Sequence, residues 1–204
     1  MSVTMAIVDY IPVALFLISS VILQRCFYNK MSKGAFAVLS AGTIMIFTAG
    51  FYKATWKLLF CMGLCDFEKL ALCFMPMQST GFFLIAAAMI AMLFFRQGKN
   101  TAYSAALAPA VFSGTAIFVS MMCLGTGVLC AALSYFACKL GKKKLTVLFV
   151  IVFFGMLGMG YLSSKDFADP AMNWIAEGVN VTAQSLLLIG SISLRRAGLA
   201  EYKM

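Results

Sequence analysis

The stretch TAYSAALAPAVFSGTAIFVSMMCLGTGVLCAALSYFAC, residues 101 to 138, contains no Asp, Glu, Lys or Arg in 38 positions. As one helix rising about 1.5 Å per residue it would be roughly 57 Å long, nearly twice the hydrocarbon thickness of a bilayer. The chain is therefore expected to turn back once within it. The sequence offers SMMCLGTG (120–127), where two glycines and small polar residues can reverse its direction. How this stretch divides decides whether the chain crosses a membrane six times or seven.

That a membrane is involved follows from composition. The chain is 63% hydrophobic and 11% charged, against about 45–50% and about 25% in soluble domains. Outside the opening stretch, apolar runs occupy 6–24, 34–52, 70–95, 145–163 and 171–194. Adding 101–119 and 123–138 gives seven transmembrane helices in a single all-α membrane domain covering residues 1–204. The connections are too short to hold a separate soluble domain.

Charge supports seven crossings. With seven, one face collects Arg25, Lys30, Lys33, Arg96, Lys99, Lys139, Lys142, Lys143, Lys144, Arg195, Arg196 and Lys203, with Glu201 as its acid. The other holds Lys53, Lys57, Lys69 and Lys165 with Asp9, Asp66, Glu68, Asp166, Asp169 and Glu177. With six, the basic clusters would scatter over both faces. The positive-inside rule places the basic face and the C-terminus in the cytoplasm and the N-terminus outside, in a plasma or bacterial inner membrane. The N-terminal MSVTMAIVDY has no basic flank, so no cleaved signal peptide is expected. The net charge of +9 is a topology signal, and nucleic acid is not an expected partner.

Spans one to three invite comparison with five to seven. The basic turn from Arg25 to Lys33 matches that from Lys139 to Lys144, AGFYKA (49–54) resembles MGYLSS (159–164), and the third spans both end in arginine, Arg96 and Arg195. These matches are compatible with a 3+1+3 parallel repeat. The topology is similar to that of sugar-transporting SWEET proteins and of microbial rhodopsins. The chain departs from both: it has no repeated proline-glutamine signature, and its last span has no lysine to carry a retinal Schiff base. Shared topology does not carry function with it.

The last span, NWIAEGVNVTAQSLLLIGSISL (173–194), is unusually polar. At about 100° per residue, Asn173, Glu177, Asn180, Gln184 and Ser191 fall within an arc of roughly 60°, opposite Ile175, Val179, Leu186 and Ile189. Depth can be counted from the basic residue closing each span: Glu177 lies roughly 27 Å from Arg195, Gln78 roughly 27 Å from Arg96, Lys53 roughly 30 Å from Lys33 and Asp9 roughly 24 Å from Arg25. These four share one level in the outer part of the membrane. A charged or amide side chain at such depth costs on the order of 2–3 kcal/mol to insert, which asks for a partner or a purpose. Lys53 and Lys57 are the cations available to Asp9 and Glu177, although beside Tyr52 and Trp56 they also fit an aromatic belt as snorkelling anchors. Asn180 and Gln184 also fit hydrogen bonding between helices.

Chemistry of other kinds finds little footing. There is no histidine, which removes the usual ligand of zinc, copper and haem and the commonest general base. No phosphate loop or nucleophile elbow is present, so no catalytic residue, metal or cofactor is expected. The seven cysteines suit apolar packing, with Cys61 and Cys65 open to a disulfide or to binding a metal, and the fifteen methionines suit adaptable packing. AGTIMIFTAG (41–50) and the small residues of 98–114 read as helix-packing faces, and Pro12, Pro76 and Pro109 as kinks.

The expectation is a small transporter or channel for a polar or ionic solute, with an outer-leaflet cavity centred on Glu177 and built from Asn173, Asn180, Gln184, Asp9, Lys53 and Gln78. The alternative is a membrane sensor or an accessory subunit of a larger complex, its lysines 139–144 meeting anionic lipid or an acidic partner. Membrane lipids are partners in either case, and a homo-oligomer or partner subunit is compatible with both.

Overall fold

The computed structural model describes residues 2–94, 115–162 and 170–202, and these are helical with no strand among them. In chain order the helices are α1 (Val3–Val8), α2 (Tyr10–Phe27), α3 (Lys33–Cys61), α4 (Glu68–Leu72), α5 (Phe74–Phe94), α6 (Thr115–Lys139), α7 (Lys143–Leu162) and α8 (Pro170–Arg196). Five stretches are long and apolar enough to cross a membrane: Val3–Phe27, Lys33–Cys61, Glu68–Phe94, Ala116–Lys139 and Ala171–Arg196.

Two proline-linked breaks divide the first and third of these. Pro12 lacks an N–H and its ring crowds the carbonyl four residues back, at Val8; the chain breaks at Asp9 between α1 and α2. Pro76 stands in the same relation to Leu72, and the break falls at Cys73 between α4 and α5. Beyond each break the span continues as a long helix, α2 and α5.

Helices α2, α3, α5, α6, α7 and α8 form a closed ring, each packing on the next and α8 returning onto α2. Glycines set the closest approaches. A Cβ on Gly42 would lie 2.7 Å from the Gly81 carbonyl oxygen, and one on Gly81 would lie 2.8 Å from that of Gly42, so α3 and α5 cross backbone to backbone.

The expected turn at 120–127 does not exist. Residues 115–139 form one continuous helix, and a Cβ on Gly125 would fall 2.5 Å from the backbone of Phe82. The glycines that resemble a turn in sequence are a packing surface for α5. Lipid offers no water to the freed backbone groups of a turn, so small residues at this depth favour helix contact over chain reversal. The span expected at 123–138 thus starts earlier, at 115. Most of the span expected at 101–119, with Pro109, lies outside the described residues, as do Arg96, Lys99, Lys165, Asp166, Asp169, Lys203 and part of 159–164.

The core is densest towards the basic face. Phe27 at the end of α2 meets Phe136 near the end of α6 with ring centroids 5.6 Å apart, and Phe136 meets Tyr202 at 6.4 Å. Both α6 and α8 end in a Schellman turn: Gly141 (φ 70°) and Gly198 (φ 87°) take the left-handed conformation, with the N–H of Lys142 donating to the Ala137 carbonyl (2.8 Å) and that of Leu199 to Leu194 (3.1 Å). The C-terminal turn is tied back by Lys30, between α2 and α3, whose Nζ donates to the carbonyls of Ala200 (3.0 Å) and Tyr202. Burial lowers the pKa of this ammonium from the ordinary lysine value.

Polarity is arranged inside out. Ile7, Ile44, Leu124, Val147, Phe154 and Ile175 are each more than half exposed, while Ser19, Ser79, Thr126 and Ser191 are buried within the ring. In water such an apolar exterior would aggregate; facing lipid it needs no cover. Several long apolar helices with this inversion indicate a membrane protein.

Candidate functional site

Helix α8 presents its polar stripe to the ring interior. Asn173, Glu177 and Ser191 are buried, Asn180 and Gln184 half-buried, and Ile175 and Ile189 point outwards. The i, i+3, i+4 spacing puts Glu177, Asn180 and Gln184 on successive turns of one face.

Asp9 is delivered to the same level by the Pro12 break, which ends α1 just where the carboxylate can turn inwards. It forms an ion pair with Lys57 of α3, the two side chains being 7% and 12% exposed. Around Glu177 the charged groups are Asp9, Lys57 and Lys53. One carboxylate oxygen of Asp9 and one of Glu177 are buried with no hydrogen-bond partner among the described residues, as is the amide oxygen of Gln184.

Lys53 and Lys57 are therefore not snorkelling anchors. Lys57 is held by Asp9, and Lys53 places its ammonium 4.0 Å from the ring centroid of Phe74 on α5. In a ring of helices, the face of α3 that carries both lysines is the inner one. Tyr52, next to Lys53 in sequence but on the other face, is exposed.

A cavity of about 90 Å3 occupies the axis of the ring. Each of the six helices contributes to its wall: Pro12 and Phe16 from α2, Gly50 and Lys53 from α3, Phe74, Gln78 and Phe82 from α5, Met122 and Thr126 from α6, Met156 and Met159 from α7, Asn180 and Gln184 from α8. Towards the basic face it is closed by Phe16 and Phe82, whose rings meet edge to face at 6.5 Å. Beyond them lies a smaller cavity of about 20 Å3, which Phe16 also lines, near the 2.6 Å hydrogen bond from Gln24 to Thr43.

The expected site residues thus divide into two layers. Lys53, Gln78, Asn180 and Gln184 line the cavity. Asp9 and Glu177 lie outside its wall, in the charged layer with Lys57, and Asn173 is buried one turn before Glu177 on α8. The cavity is not centred on Glu177, because the charges at that level close on one another. It is also smaller than the few hundred Å3 typical of drug-sized ligand sites.

Thr126 and Met122 were missed because their segment reads as a turn; Thr126 satisfies its hydroxyl on the Met122 carbonyl at 2.7 Å. The aromatic wall of Phe16, Phe74 and Phe82 had no distinguishing signal, since lipid-facing phenylalanines look the same in sequence. Cys61 and Cys65 are both free thiols. No group of metal-ligating side chains occurs among the described residues. Comparison with protein-family models, with curated proteins and with solved structures finds no match for this chain.

Proposed function

We propose that this protein is a small membrane transporter that moves a polar or ionic solute through the axial cavity. The observation that carries this reading is a cavity to which all six helices of a closed ring contribute, with Lys53, Gln78, Asn180 and Gln184 in an otherwise aromatic and methionine-rich wall. A few polar groups converging in an apolar pocket is the usual form of a solute site. The aromatic pair Phe16 and Phe82, with the dense core beneath it, favours alternating access over an open channel.

In this reading the chain crosses seven times, with the basic face cytoplasmic and the N-terminus outside. Support comes from the direction of the helices. Helix α5 runs antiparallel to α3, pairing Gly81 with Gly42 and Phe74 with Lys53, and so ends at the basic face. Helix α6 ends there too, through Phe136 and Phe27, so α5 and α6 finish at the same face. The 3+1+3 repeat belongs to the same proposal.

Proteoliposomes challenged with lactate, lactamide and glycerol test it. At least one solute is expected to enter faster than into protein-free vesicles, and Glu177→Gln is expected to reduce that flux about tenfold or remove its proton dependence. Unchanged flux in that variant removes Glu177 from the mechanism. A protein that binds these solutes without moving any of them is the sensor or accessory subunit instead.

A further inference from the structure

Resting on the transporter reading, we infer that the solute is a small organic carboxylate, carried together with one proton that Glu177 accepts. The cavity wall decides the sign of the solute. Lys53 is the charged residue in that wall, and it has no carboxylate within ion-pairing distance among the described residues. Its ammonium rests on the Phe74 ring at 4.0 Å, which compensates a cation only in part. A cationic solute would meet this ammonium in a site of low dielectric, where like charges repel strongly. An anion would find a counter-ion, together with the amide N–H donors of Gln78, Asn180 and Gln184. The volume of about 90 Å3 favours a small solute over a drug-sized one.

Charge balance supplies the coupling. The groups facing Glu177 are Asp9 at the α1–α2 break and Lys53 and Lys57 on α3; α7, the other helix packed on α8, contributes none among the described residues. Asp9 pairs with Lys57 and also reaches Glu177 through a hydrogen bond between the two carboxyls, a contact that forms only when one of them holds a proton. With both carboxylates ionised, two acids and two lysines sum to zero. A carboxylate solute that takes Lys53 as its counter-ion leaves the layer one negative charge in excess, held away from water. One proton from the outer solution, bound at the buried Glu177 oxygen that has no protein partner, restores neutrality. The solute anion and the proton then cross together and are both released at the basic face, with no net charge moved.

The test uses the full-length protein in liposomes containing a pH-sensitive dye, pulsed with sodium lactate, with protein-free vesicles correcting for passive entry of the acid. Internal acidification is expected at a rate that a potassium–valinomycin potential leaves unchanged. Lys53→Gln is expected to weaken lactate-driven acidification at least about thirtyfold, with Lys53→Arg restoring most of it. Glu177→Gln is expected to keep lactate exchange between the two sides while losing net proton-coupled uptake, which a misfolded variant would not do. Lactate entry that follows the membrane potential without acidification overturns the coupling. Protein-dependent entry of lactamide or glycerol, with lactate inert, overturns the anionic solute and leaves the transporter reading standing. Vesicles in which none of the three probes moves overturn both.

Discussion

Replacing Lys57 by methionine removes the partner of Asp9 while keeping a similar side-chain length. The pair is nearly enclosed, at 12% and 7% exposure, and Glu177 beside it is 6% exposed. The variant leaves two buried carboxylates facing a single lysine, Lys53, which is not within ion-pairing distance of either. Breaking such a pair from one side costs about 3–5 kcal/mol, because the remaining charge stays buried without compensation. Asp9→Asn is milder, since Lys57 still has Glu177 nearby and the amide still accepts a hydrogen bond; about 1–3 kcal/mol is expected. The double variant removes both charges and is expected to cost no more than Asp9→Asn alone, so the coupling is about the size of the Lys57→Met effect, roughly 3–5 kcal/mol. Reversible unfolding by SDS in mixed micelles, followed by the fluorescence of Trp56 and Trp174, measures all three. If the two single effects add to within about 0.5 kcal/mol of the double, the residues act independently and the charged layer is not a unit.

Other perturbations probe the packing and the sidedness. Gly125→Ala places a methyl 2.5 Å from the Phe82 backbone, and this overpacking is expected to destabilise by about 1–3 kcal/mol in the same unfolding assay. Gly127→Ala meets only the Phe153 ring at 3.4 Å and is expected to stay within about 0.5 kcal/mol of the parent; equal effects would contradict the α5–α6 contact. In single-cysteine variants, exposed Cys65 is expected to react with a membrane-impermeant maleimide added outside intact cells, and exposed Cys138 only after permeabilisation. Labelling of both from one side would overturn the orientation.

Much of the architecture was legible because it depends on local properties. Hydropathy located the apolar runs of five helices, and the structure lengthens them: α3 continues to Cys61 because Lys57 turns inwards to Asp9, where the sequence places the membrane interface near Tyr52. The stripe on α8 follows from a 100° rotation per residue. None of these inferences needs knowledge of a neighbour.

What failed in the sequence reading required one. GTG at 125–127 has the composition of a turn, and only Phe82 on the facing helix makes Gly125 a packing contact inside a straight helix. Lysines beside aromatics look like interface anchors until the ring closes and turns their face inwards to Asp9 and Phe74.

The sequence by itself determined that this chain is a bundle of apolar helices with a basic face and an intramembrane polar layer, because hydropathy, charge and helical phase are written along the chain. Only the tertiary structure decided that the layer splits into a closed set of charges and, beneath it, a cavity beside Lys53. That division depends on which side chains of six separate helices meet, and periodicity within one helix carries no record of it.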